Sequence, residues 1–171
     1  MAKKKQTKNN KFISALSVIL GLVSLGMIFA PAIIIKNSET TFTGFQVAFG
    51  YKESTLLGDF EYFNFSLMNV LAYVIVAAGI VFTILGSLGK GNKFASFLAF
   101  LGFAISAVLF FMQVFLCVPN QGLEKLVKTI GNLLGEKASI KDSLSLAYGS
   151  IVSGACAVLA MLFSAYKTFK K

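Results

Sequence analysis

The side chains with chemistry to offer in this sequence are carboxylates, amides, lysines and two thiols, because it contains no histidine. That removes the commonest general base and metal ligand. Glu53, Asp59 and Glu61 crowd one short stretch and could meet a cation. Their spacing is not that of a calcium loop, so they read as solvated turn charges. Gly86 to Lys90 is too short for a phosphate-binding loop and no Ser or Thr follows the lysine. Cys117 stands at the end of one apolar run and Cys156 near the middle of another, roughly two helical turns apart in depth. A disulfide needs Cα atoms within ~7 Å and is not expected between them. Asn69 and Gln113 are the most polar groups inside the apolar runs. Hydrogen bonding between helices, worth ~0.6–2 kcal/mol, is expected of them rather than a pore lining. No arrangement of nucleophile, base and acid emerges, and the expectation is a non-catalytic protein with no cofactor and no metal.

The elements that carry these residues are dominated by apolar sequence. Of 171 residues, 56% are hydrophobic, more than a soluble core usually needs. Four runs hold no charged residue: 12–35, 67–89, 94–118 and 144–166. Each exceeds the ~20 residues a helix needs to cross a hydrocarbon core. The expected fold is therefore an all-α membrane protein, a four-helix transmembrane bundle with a small extracellular β-hairpin or sheet and an outer amphipathic helix. Residues 1–11 would be a basic cytoplasmic tail, 36–66 and 119–143 the outer loops, 90–93 a tight cytoplasmic turn, and 167–171 a second basic tail. Ala30-Pro31-Ala32 resembles a signal-peptide cleavage site. The run is longer than the usual ~7–15 residue core of such a peptide and continues through Ile33-Ile34-Ile35, so an uncleaved anchor is expected, with Pro31 kinking or ending the helix.

Charge fixes the orientation. The net charge is +9, and every basic residue is lysine. Ten lysines fall in the termini and the second connection, where there is no acid, while all seven acids fall in the first and third connections beside the other six lysines. The positive-inside rule then puts both termini in the cytoplasm and the two long loops outside the plasma membrane. Lysines at membrane boundaries, without a groove-reading or stacking motif, point to anionic lipid at the inner face and not to nucleic acid. No span contains Asp, Glu, Lys, Arg or His, which disfavours proton-coupled transport.

Small residues recur along the runs at three- and four-residue steps: Ser14, Ser17, Gly21 and Ser24; Asn69, Ala72, Val76, Gly79, Thr83 and Gly86; Ala95, Ala99, Gly102 and Ser106, with Gln113 on the same face. The fourth run has two such faces, through Ala147, Ser150, Gly154 and Ala157 and through Gly149, Ser153, Cys156, Ala160 and Ser164. Such stripes let backbones approach where lipid supplies no hydrophobic drive between helices. Gly21, Gly79, Gly102, Gln113, Ser150 and Gly154 are thus the candidate packing residues. The seven phenylalanines of the third run, Phe94 to Phe115, are expected on its outside, against lipid or a partner.

The polar segment 37–66 is where function is expected. Phe45, Val47, Phe49 and Tyr51 alternate at strand period, Gln46 faces the other way, and a second aromatic run includes Phe63. These six residues form the candidate interaction surface. Beyond Pro119, Leu123, Leu126, Val127, Ile130, Leu133 and Leu134 fall at helical spacing opposite charged positions, an amphipathic helix ending at Gly135.

With both ends inside, a long β-patterned first outer loop, a shorter second one and a tight inner turn, the chain resembles claudin-like tetraspan proteins in architecture. It lacks the Trp and paired Cys of the claudin first loop, so a barrier role does not follow. The stretch Thr43-Gly44-Phe45-Gln46-Val47-Ala48-Phe49-Gly50-Tyr51, in an arginine-free chain, is similar to small four-span membrane proteins of Firmicutes and Mollicutes, which bring no known activity. The leading expectation is a multi-pass protein presenting an outer recognition or scaffolding surface to a protein partner or a second copy. The alternatives are an accessory subunit of a larger transporter, secretion or envelope complex, and a small channel or holin-like pore.

Overall fold

The computed structural model describes residues 2–36, 39–55, 58–88, 93–122, 124–125, 128–129 and 139–169. The chain is mostly helical, with two small sheets. Four helices are long and apolar enough to cross a membrane. They are α1 (Ala2–Gly26, whose apolar stretch begins at Lys11 and continues through the next turn to Phe29), α3 (Leu67–Leu88), α4 (Lys93–Phe111) and α6 (Tyr148–Phe169). The chain divides into two compact units.

The first unit takes residues 1–26, 71–110 and 152–171, the bulk of the four long helices. Small side chains are what let these helices meet. A Cβ on Gly102 would stand 3.5 Å from the Gly79 Cα, so the backbones of α3 and α4 touch there. The ring of Phe103 fills the notch left by Gly21 and Gly79, where an added Cβ would come within 3.2 Å of it in each case. α1 and α6 are joined by reciprocal bonds: the Ser24 hydroxyl donates to the Ser153 carbonyl at 3.0 Å and the Ser153 hydroxyl to the Ser24 carbonyl at 3.1 Å. Ser17 donates to the Ala160 carbonyl at 3.1 Å. Of the expected stripes, every residue is buried except Gly102 and Cys156, which are half-buried. One expectation about α4 needs correcting. Phe94, Phe97 and Phe111 face outward, but Phe103 and Phe110 are fully buried, because the glycine notch and Tyr73 make room for them.

The second unit takes residues 27–70 and 111–151. A 3-10 turn (Met27–Phe29) follows α1, and then the chain extends as β1 (Pro31–Ile35). The apolar run to Ile35 is therefore not one helix: Pro31 cannot continue it, and three consecutive isoleucines favour a strand. β2 (Thr41–Thr43), the short helix α2 (Gly44–Phe49), β3 (Tyr51–Thr55) and β4 (Gly58–Asn64) complete the first connection. The third contributes α5 (Gln113–Leu116), β5 (Val118–Pro119) and β6 (Leu144–Leu146). The third and fourth apolar runs are likewise shorter as helices than expected, ending at Phe111 and starting at Tyr148. The segment expected as a basic tail over 1–11 is helical from Ala2. Most of the expected amphipathic helix, with Leu123, Leu126, Val127, Ile130, Leu133, Leu134 and Gly135, and residues 89–92 of the inner turn, lie outside the described residues.

Both sheets are antiparallel and three-stranded, in the orders β2-β1-β6 and β3-β4-β5. Each joins strands of the first connection to a strand of the third: Ile34 pairs with Ser145, and Phe63 with Pro119. One core, built from Ile33, Phe42, Val47, Phe63, Val114 and Leu144 with their neighbours, closes the unit.

Candidate interaction surface

In α2 the period is 3.6 and not 2, which corrects the strand expected over 45–51. Thr43 is the N-cap of a capping box. Its hydroxyl accepts from the Gln46 amide at 3.3 Å, and the Gln46 side chain accepts from the Thr43 amide at 2.8 Å. Gln46 is thus a cap and not a surface contact. Gly44, Val47 and Ala48, at positions i, i+3 and i+4, are buried, which leaves Phe45 and Phe49 pointing out together. Gly50 ends the helix at φ 92°, where a side chain would be strained and its Cβ would meet the Phe63 carbonyl at 3.0 Å. From there the chain enters β3.

Of the six expected surface residues, Val47 and Phe63 are core, 0% and 2% exposed, and cannot contact a partner in the folded unit. Tyr51 is half-buried against the core, with its ring near Phe42 and Tyr62. Phe45 and Phe49 remain exposed, 48% and 47%, and belong to a larger array. Four rings follow one another in series: Phe29 stacks on Phe45 at 6.4 Å between centroids, and tilted contacts join Phe45 to Phe49 at 4.7 Å and Phe49 to Phe65 at 6.3 Å. Phe29 and Phe65 were not among the expected residues. Their signal in the sequence was their position, each within a few residues of the end of a long helix.

The β3-β4 hairpin offers a different surface. Lys52, Glu53 and Ser54 are exposed along β3, an edge strand. Glu61 is not a free turn charge, since its carboxylate pairs with Lys52 at 3.2 Å and accepts from Asn120 Nδ2 at 2.8 Å, tying the hairpin to the third connection. Burial, and then the neighbouring Glu53 carboxylate, push the Tyr62 hydroxyl above its ordinary pKa. Cys117 packs into the core and its thiol donates to the Val114 carbonyl at 2.9 Å. Burial pushes its pKa up to about 11.

The polar groups of the second unit separate into satisfied and unsatisfied ones. Ser150, a predicted packing residue, donates to the Ala32 carbonyl at 2.7 Å and lies 2.5 Å from Gln113 Oε1. Gln113 thus bonds between helices as expected. Asn69 does not: it is fully buried, and neither its Oδ1 nor its Nδ2 finds a partner among the described residues.

The chain matches no protein family, no curated protein and no solved structure.

In the first unit the sequence reading missed Lys167, which was taken as a tail charge. Its ammonium turns inward to donate to the Ser14 hydroxyl at 3.0 Å and to the Gly86 carbonyl at 2.9 Å, in the last turn of α3. Ser17, Thr83, Ser96 and Ser164 line the same small cavity, about 10 Å³, which is room for one water and not for a substrate. Lys167 therefore ties the end of α6 to α1 and to the end of α3. Gly154 is buried among the stripes of α6.

Proposed function

We propose that this is a four-span protein of the plasma membrane, with both termini cytoplasmic, that holds a folded, non-catalytic module outside the cell as a recognition or scaffolding surface. The observation that carries the reading is the pairing of β1 with β6 and of β4 with β5. Connections that come before the second span and after the third share sheets and a core, as they can when both emerge on one side of a bilayer. All seven acids of the chain lie in those two connections, while the second connection and the termini carry only lysine, which supports that side being the outer one. The arrangement is claudin-like in its order of parts. Anionic lipid at the inner face and a protein partner or second copy at the outer one are the partners proposed.

The hairpin is the part of the module best suited to presentation, with charged side chains along an edge strand that deter indiscriminate strand addition. A photoreactive amino acid placed at Lys52, Ser54 or Phe60 in intact cells should give discrete adducts with a protein. Their absence at all three positions would remove the recognition reading. The second reading, an accessory subunit, draws on the exposed Phe94, Phe97 and Phe111 of α4. It predicts protein adducts from Phe97 and none from the hairpin.

A further inference from the structure

We infer that the Phe29-Phe45-Phe49-Phe65 ladder is a lipid anchor, immersed in the acyl chains of the outer leaflet, so that α2 is an interfacial helix of the membrane boundary rather than part of the aqueous recognition surface. The inference rests on the four-span reading above. Four observations lead to it. The ladder is apolar and unscreened: its rings are 74%, 48%, 47% and 55% exposed, and Leu67 and Met68 beside it are 57% and 49% exposed. Its two ends are fixed in depth by the chain itself. Phe29 is the last residue of the first apolar span and Phe65 stands two residues before the start of α3, so both occupy the boundary of the hydrocarbon core. The two α2 rings lie between these ends at centroid distances of 4.7–6.4 Å, which leaves them little room to stand at another depth. Finally, the other face of α2, Gly44, Val47 and Ala48, is committed to the core, so the helix is apolar on both faces, one packed in the protein interior and one forming the ladder, with no charged residue in it.

Phenylalanine, unlike tyrosine or tryptophan, has no polar tip to leave at the headgroups, and a patch made of it alone is stable on the acyl side of the interface. Interfacial helices bury their apolar faces to about 5–10 Å below the headgroup boundary, and one ring diameter beyond the span ends falls in that range. A patch of this size left in water would also be an aggregation hazard. In the lipid it would instead fix the height and tilt of the outer module and leave the β3-β4 hairpin as the presented part.

The protein contains no tryptophan, so a single introduced one reports its own position. Phe49→Trp and, as a reference, Val81→Trp on the exposed face of α3 would be reconstituted in phosphatidylcholine liposomes. Quenching by lipids with a doxyl group near the carboxyl end of the chain would be compared with quenching by acrylamide. The expected result is quenching of the Phe49→Trp emission to about half or less by the shallow doxyl lipid, with little effect of acrylamide. Acrylamide quenching of Phe49→Trp while Val81→Trp responds to doxyl lipid would overturn the anchor and leave the four-span reading standing. Protection of Phe49→Trp from both quenchers would mean that protein, such as a second copy, covers the ladder, and would also overturn it. If neither tryptophan responds to doxyl lipid, the four-span reading fails and the anchor falls with it.

Discussion

Val47 and Phe49 stand two residues apart and do opposite things, which is where the sequence pattern misleads most. Alternation at 45, 47, 49 and 51 fits a strand, yet 45 and 49 are also an i, i+4 pair, and so short a window does not let apolar period alone separate the two. The deciding signal was local and polar: Thr43 and Gln46 have the spacing of a capping box, which marks a helix start. Val47→Asp should accordingly unfold the outer module, since a charge placed at a fully buried site without a partner costs about 3–5 kcal/mol. Phe49→Asp should leave the fold intact, and protease resistance of the purified protein in detergent distinguishes them. Asn69 gives a prediction of the opposite sign. A buried amide with no partner costs about 1–3 kcal/mol, so Asn69→Leu, close to it in volume, should raise the unfolding temperature in detergent. A lowered temperature would mean that water satisfies the amide. For Cys117 the thiol pKa is raised in the folded state, to about 11 from 9.0. The unfolded chain therefore loses this proton first, and the thiol's contribution to stability is whole below pH 9 and declines as pH rises from 9 toward 11. Alkylation of Cys117 in the native protein at pH 8 should be much slower than in the denatured chain.

At the scale of elements, the long helices and the hairpin around the second aromatic run were legible, and the other strands were not. Charge-free length identified the four long apolar helices, and the small-residue stripes identified which face of each would be buried, because close backbone approach admits few other residues. Pro31 marked the end of the first helix. What lay beyond it was hidden: Ile33, Ile34 and Ile35 are as apolar as a span, and only their pairing with β2 and β6 makes them a strand. β5 and β6 have two and three residues and hold their shape through partners distant in sequence, so no local pattern announces them. The glycines offer a test at this scale. A Cβ on Gly149 would stand 2.5 Å from the Pro31 carbonyl oxygen, a backbone atom that cannot step aside, whereas one on Gly26 would meet nothing within 4 Å. Gly149→Ala should cost about 1–3 kcal/mol by overpacking the contact between α6 and β1. Gly26→Ala should be neutral or stabilising by up to ~1 kcal/mol, because alanine is the better helix former. Equal unfolding temperatures for the two variants would contradict the packing described for β1.

Over the whole molecule, the account depends on two connections, far apart in sequence, forming one module on one side of a membrane. The lysine asymmetry is the basis of the proposed sidedness, whereas nothing local could reveal that the connections share sheets. Cysteine accessibility in intact cells tests this claim most directly, in a Cys117→Ala, Cys156→Ala background with single cysteines at the exposed positions Lys52, Lys141 and Lys93. Lys52→Cys and Lys141→Cys, one from each half of the module, should both react with a membrane-impermeant maleimide, while Lys93→Cys should react only after permeabilisation. Labelling of Lys93→Cys in intact cells, or labelling of only one of Lys52→Cys and Lys141→Cys, would contradict the account.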